Sequence, residues 1–126
     1  MPEMQEQALT IQQSISLAIQ YHEAGDLPRA EGIYQQILLA EPNQPIALHF
    51  LGVISHQLGK NDIAYDLITK ALVIKPDYLE AHSNFCIILR ALGKLDEAIS
   101  CYQKILIIKP DYFEVHYNLG NALKDF

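Results

Sequence analysis

Histidine, cysteine and asparagine carry what chemistry this chain has to offer, and their spacing decides between catalysis and grip. The five histidines are His22, His49, His56, His82 and His116. His49 and His56 are seven residues apart, about 10 Å along a helix, too far for two imidazoles to share a metal ion easily. The Cys/His spacing as a whole does not support a zinc site. Cys86 and Cys101 form no CxxC motif and no base adjoins them, so a redox role has no support. Two cysteines make no disulfide framework and suit a reducing compartment equally well. They read as small packed residues that come near each other on two helices. A glycine-rich phosphate loop, a nucleophile elbow and a carboxylate pair in a cleft are all missing from the sequence. The expectation is a chain that is not an enzyme, with no cofactor and no metal.

Charge narrows the partners. Fifteen acidic against nine basic residues give a formal charge of −6, and no Lys/Arg-rich block interrupts that balance. This is not the footprint of a nucleic-acid binder, nor of a protein that seeks an anionic membrane surface. No apolar run approaches bilayer length. Residues Met1 to Thr10 are polar and acidic, unlike a secretory signal or a transit peptide, so the expected location is cytoplasmic. With 126 residues, half of them hydrophobic, the chain suits one ordered domain.

Three residue types then share one period. Pro42, Pro76 and Pro110 recur every 34 residues, as do Gly25, Gly59 and Gly93, and Ala30, Ala64 and Ala98. Each has a physical reason for its place. The glycines follow apolar-periodic segments, where a helix end needs positive φ. The alanines permit close approach of two helices. The prolines stop the second helix of each pair. Asn43, Asp77 and Asp111 follow as expected N-caps, with Glu80 and Glu114 completing capping boxes. The expected helices are Glu6–Ala24, Leu27–Leu39, Gln44–Leu58, Asp62–Ile74, Tyr78–Leu92, Asp96–Ile108 and Tyr112–Lys124, with Thr10 and Gln13 an alternative cap for the first. Short connections make successive helices antiparallel neighbours.

These positions resemble the tetratricopeptide repeat, whose pattern is W-x₂-L-G-x₂-Y, then A-x₃-F, then P over 34 residues. Leu17, Ala18, Tyr21, Ala30, Tyr34 and Pro42 match in the first hairpin. Leu48, Leu51, Gly52, Ala64 and Pro76 match in the second, and Phe85, Cys86, Ala98, Tyr102 and Pro110 in the third. Leu119 and Gly120 begin a fourth. The tryptophan column is filled by Ser14, Leu48, His82 and His116. The resemblance implies an all-α, right-handed superhelical solenoid of antiparallel hairpins. Residues 1–10 form a polar lead-in or helix extension, 11–44, 45–78 and 79–112 are repeats, and 113–126 is a partial fourth.

The resemblance also implies a concave groove lined by the first helix of each hairpin, binding a protein or peptide. Four columns of equivalent residues are expected there: Ile15, His49, Ser83, Tyr117; Ser16, Phe50, Asn84, Asn118; Ile19, Val53, Ile87, Asn121; and His22, His56, Arg90, Lys124. Asparagine amides both donate and accept, so Asn84 and Asn118 suit clamping of an extended backbone. Their segments, AHSNF and VHYNLGNALK, are similar to repeats of O-linked N-acetylglucosamine transferases, in which an asparagine ladder holds peptide. Here Ser16 and Phe50 break that ladder. Chaperone-binding members of the family grip a C-terminal carboxylate, but Ile15, Ile19 and Phe50 occupy the matching positions. The function expected is that of an interaction scaffold, with a recognition arm of a larger glycosyltransferase as the alternative. A third reading is self-assembly. The last helix lacks a hairpin partner and is expected to bare Val115, Leu119, Ala122 and Leu123, a face for another subunit or for a missing repeat.

Overall fold

The computed structural model describes residues 9–125. It contains seven helices: α1 (Ile11–Glu23), α2 (Leu27–Ala40), α3 (Pro45–Gln57), α4 (Asn61–Ile74), α5 (Leu79–Ala91), α6 (Leu95–Ile108) and α7 (Phe113–Lys124). No strand occurs among the described residues. The expected start of the first helix at Glu6 lies outside them, as does most of the 1–10 lead-in. At Thr10 the alternative cap is the one that forms. The Gln13 amide donates to Thr10 Oγ1 at 3.0 Å, and the Thr10 amide donates to Gln13 Oε1 at 2.9 Å.

Each first helix stops at its glycine. Gly25, Gly59 and Gly93 have φ of +82°, +78° and +78°, a region closed to most residues by their Cβ. The turn then closes as a Schellman motif: at the first glycine, the Gly25 amide donates to His22 O and the Asp26 amide to Tyr21 O.

The expected aspartate caps do not form. Tyr78 and Tyr112 occupy the cap positions of α5 and α7, without a side-chain cap bond, and Asp77 and Asp111 fall in the turn before. The physical reason is that each turn closes on itself, Tyr78 N–H to Lys75 O at 3.1 Å and Tyr112 N–H to Lys109 O at 3.2 Å. That closure shifts the helix start one residue on. Histidine holds the junction instead: His82 Nε2 donates to Pro76 O at 2.7 Å, and His116 Nε2 to Pro110 O at 2.8 Å.

Ala30, Ala64 and Ala98 are wholly buried, as the close-approach argument requires. Around them a core runs the length of the array, through Tyr34, Ile54, Ile68, Ile88 and Tyr102. Each helix packs on its sequence neighbours. In addition α3 touches α5 and α5 touches α7, while α4 and α6 make no comparable contact. First helices therefore form the inner ring and second helices the outer, which sets the curvature.

The cysteine reading needs correction. Cys86 and Cys101 are bonded as a disulfide joining α5 to α6, with Cα atoms 5.6 Å apart. Cys86 shares a column of small residues with Ala18, Gly52 and Gly120, where a hairpin's helices approach most closely. In the third hairpin that approach brings the two sulfurs together. No helix among the described residues is long and apolar enough to cross a membrane.

Candidate binding groove

The four expected columns separate by burial. In the first, Ile15, His49 and Ser83 are buried and only Tyr117, 71% exposed, faces solvent. His49 is therefore no groove surface residue: it lies beneath the next hairpin, covered by Tyr78. In the other columns Phe50, Asn84, Asn118, Ile19, Val53, Ile87, Asn121, His22, His56 and Arg90 are half-buried, while Ser16 and Lys124 are exposed. These residues line the inner ring. An apolar stretch over α1 and α3, from Ile19 to Phe50 and Val53, gives way to Asn84, Asn118 and Asn121 on α5 and α7.

Phe50 is seated by two neighbours, Tyr34 stacked at 5.8 Å between ring centroids and His49 at 4.7 Å. A flat apolar platform results at the middle of the inner face.

Polar bridges stitch successive first helices, each spanning 35 residues, the outer two at one register and the middle one about two turns nearer the helix start. His22 Nε2 donates to Gln57 Oε1 at 2.7 Å, from α1 to α3. Asn84 Nδ2 meets His49 Nε2 at 2.8 Å, from α5 to α3. Arg90 Nε donates to Asp125 Oδ2 at 2.6 Å, from α5 to the end of α7. The His22, His56, Arg90, Lys124 column is thus largely occupied within the chain, since His56 also binds Asn61 Oδ1 at 2.6 Å. The hydrogen bond with Arg90 holds the Asp125 carboxyl below its usual range. Burial, with the charge of His22 second, lowers the His49 imidazole to about 4, so it is neutral near pH 7.

The expectation for α7 is half corrected. Val115 and Ala122 are fully buried in the cluster with Cys86, Leu89, Ala98 and Tyr102, because α7 packs on α6 and α5 and not only on a hairpin partner. Leu119 is half-buried. Leu123 is 51% exposed, and the bare apolar surface of α7 is completed by Phe113 and Tyr117, two aromatics that the sequence argument left out of this face.

Two clefts lie elsewhere. One of about 610 Å³ opens between α5 and α6, lined by Leu72, Leu79, His82, Phe85, Cys101 and Ile108 among others. Another of about 580 Å³ opens between α1 and α2, beside Leu9, Ile11, Tyr21 and Ile33. Neither includes a residue of the four columns. Among the described residues no group of three histidines, cysteines or carboxylates is placed to hold a metal ion.

An array of paired helices with a half-apolar, half-amide inner face belongs to the helical-repeat scaffolds. A family model described as the TPR repeat matches residues 88–125. The 34-residue pattern carried through the preceding hairpins is likewise that of the tetratricopeptide repeat. Among solved structures it is similar to an O-GlcNAc transferase mutant of Thermobaculum terrenum, at 28% identity and a TM-score of 0.86, covering 90% of this chain and 22% of that one. This chain therefore spans about a fifth of the transferase. The first TPR domain of Spaghetti (RPAP3), bound to an HSP90 peptide, shares the fold at 23% identity and TM-score 0.83, covering 91% of this chain and 94% of that one. MamA does so at 20% identity and TM-score 0.81, over 92% and 68%. A search of curated protein sequences finds no significant match.

Proposed function

We propose that the inner face binds an extended peptide segment of a partner protein, with Asn84, Asn118 and Asn121 taking its backbone and Ile19, Phe50, Val53 and Ile87 its apolar side chains. The observation that carries this reading is the alternation on one half-buried face: amides that donate and accept lie beside an aromatic platform already locked by Tyr34 and His49. An HSP90 peptide sits on the RPAP3 domain of the same fold, which supports peptide binding by such a surface in general. Ile15, Ile19 and Phe50 offer nothing to a terminal carboxylate, so an internal segment is the better ligand. The test is selection from a phage-displayed random peptide library, with the Asn84→Ala/Asn118→Ala double variant as counter-bait. Peptides that enrich on the wild type and lose affinity for the double variant support the groove. Peptides that bind both equally, with helicity intact, sink it.

A second reading is favoured by the 28% identity to the O-GlcNAc transferase: the array serves as the substrate-recognition arm of a larger glycosyltransferase. The mass of the native polypeptide in its source cells separates the two, since a value near 14.3 kDa leaves no room for a catalytic domain. Self-association through α7 now rests on Phe113, Tyr117 and Leu123. Light scattering that shows a monomer at high concentration removes it.

A further inference from the structure

The histidine beneath the groove has a bonding pattern that fixes more than its own position. His49 is fully buried on α3, its ring against Phe50 at 4.7 Å and Tyr78 at 4.8 Å. Nδ1 meets the Tyr78 hydroxyl at 2.9 Å, and Nε2 meets Asn84 Nδ2 at 2.8 Å. With the Asn84 amide in this orientation its nitrogen donates, Nε2 accepts and the ring proton sits on Nδ1. That proton is then donated to the Tyr78 oxygen. The opposite arrangement, with the Asn84 amide flipped, needs the proton on Nε2 and the Tyr78 hydroxyl as donor to Nδ1. Amide orientation and tautomer are therefore one variable.

The other junctions lack this relay. Ile15 stands at the His49 position in the first hairpin and has no polar atom. Ser83 stands there in the third; its buried hydroxyl lies beside that of Tyr112, the counterpart of Tyr78, and no bond from it to Asn118 forms among the described residues. Asn84 is the amide on this face that a buried partner orients.

We propose that His49 is a positioning residue: it holds the Asn84 carboxamide so that the carbonyl oxygen and the second amide hydrogen remain as an acceptor–donor pair for one peptide unit of an extended ligand. Such a unit presents one N–H and one C=O, and an amide held in one orientation binds it in one register. The proposal rests on the peptide-groove reading for its ligand, while the orientation itself is a property of the free protein.

The test has two arms. Imidazole ¹⁵N spectra of the free protein are expected to show His49 protonated on Nδ1. Asn84→Asp, whose side chain only accepts, is expected to move the proton to Nε2. In the second arm, a peptide selected from the phage library is titrated into His49→Phe and Tyr78→Phe. His49→Phe keeps an aromatic ring and is expected to weaken binding about 2- to 10-fold, the worth of one well-oriented hydrogen bond. Tyr78→Phe leaves Nε2 in place and is expected to bind as wild type. An Nε2-protonated His49 in the free wild type overturns the proposal, as does unchanged affinity in a folded His49→Phe. Both leave the groove reading standing. A library that yields no asparagine-dependent peptide overturns the groove reading and the ligand assigned here, while the tautomer arm still judges the orientation.

Discussion

Gly52 and Gly120 occupy the same column one double repeat apart, and substituting alanine at each separates backbone propensity from packing. Alanine in a helix interior is favoured over glycine by about 1 kcal/mol. At Gly120 a Cβ meets nothing within 4 Å, so that gain should appear, reduced by the nearness of the helix end. At Gly52 the Cβ lies 2.6 Å from Ile68 Cγ1, 3.1 Å from its Cδ1 and 3.4 Å from Ala64 O. Ile68 is fully buried and β-branched, so its Cγ1 cannot swing aside. Overpacking of this kind costs about 1–3 kcal/mol. Gly52→Ala should therefore be neutral to about 2 kcal/mol destabilising, and the two variants should differ by about 1–3 kcal/mol. Urea denaturation read by circular dichroism measures both. At roughly 4 °C per kcal/mol the difference is also visible as a shift in melting temperature. Ile68→Ala costs about 2–5 kcal/mol by itself, and should cost less in the Gly52→Ala background, where the new methyl fills part of the space. Equal stabilisation by the two glycine substitutions, or strict additivity with Ile68→Ala, would refute the close-approach argument.

Three further outcomes are expected. The Cys86–Cys101 bond encloses a sequence separation of 15 residues, and on the chain-entropy account closing such a loop is worth about 3 kcal/mol. Adding dithiothreitol should lower the denaturation midpoint of the wild type and leave Cys86→Ala/Cys101→Ala unmoved; two thiols that alkylate without reductant would refute it. His49 has a folded pKa near 4, below the unfolded value, so the unfolded chain binds the extra proton between about pH 6.5 and 4. Its contribution is complete above that window and is lost as pH falls through it, by on the order of 3 kcal/mol relative to His49→Phe; parallel stability profiles for the two proteins would count against this. Tyr34 is wholly buried, and its hydroxyl has no hydrogen-bond partner among the described residues. Tyr34→Phe keeps the stack on Phe50 and should be neutral or up to about 2 kcal/mol stabilising. A clear loss of stability on denaturation would reveal a partner for the hydroxyl.

The repeat was legible because local physics imposes it residue by residue. Positive φ calls for Gly25, Gly59 and Gly93, and close helix approach calls for Ala30, Ala64 and Ala98, whatever the neighbours are. Helix ends followed to within a few residues. What depends on neighbours was read less well. His49 was expected to line the groove because its repeat column lies on the first helices, although the next hairpin covers that column. Asp77 and Asp111 were assigned as caps from residue type, while a self-closing turn moved the caps to Tyr78 and Tyr112. Val115 and Ala122 were expected to be bare because only the absent partner of α7 was considered, not the hairpin before it. The disulfide had no signature in a 15-residue spacing, since the distance that matters runs across two helices.

The bridges of 35-residue span have a mechanical consequence. In a solenoid, curvature accumulates from the small rotation between one unit and the next. Here each such rotation is latched on the inside by a polar contact: His22–Gln57, His49–Asn84 and Arg90–Asp125. The array is a spring whose coils are clipped along the inner edge. The outer clips sit at partly exposed side chains and yield to water, whereas the middle clip is buried on its histidine side. Flexing should therefore be stiffest at the centre and softest at the two ends, so that the arms open around a fixed waist.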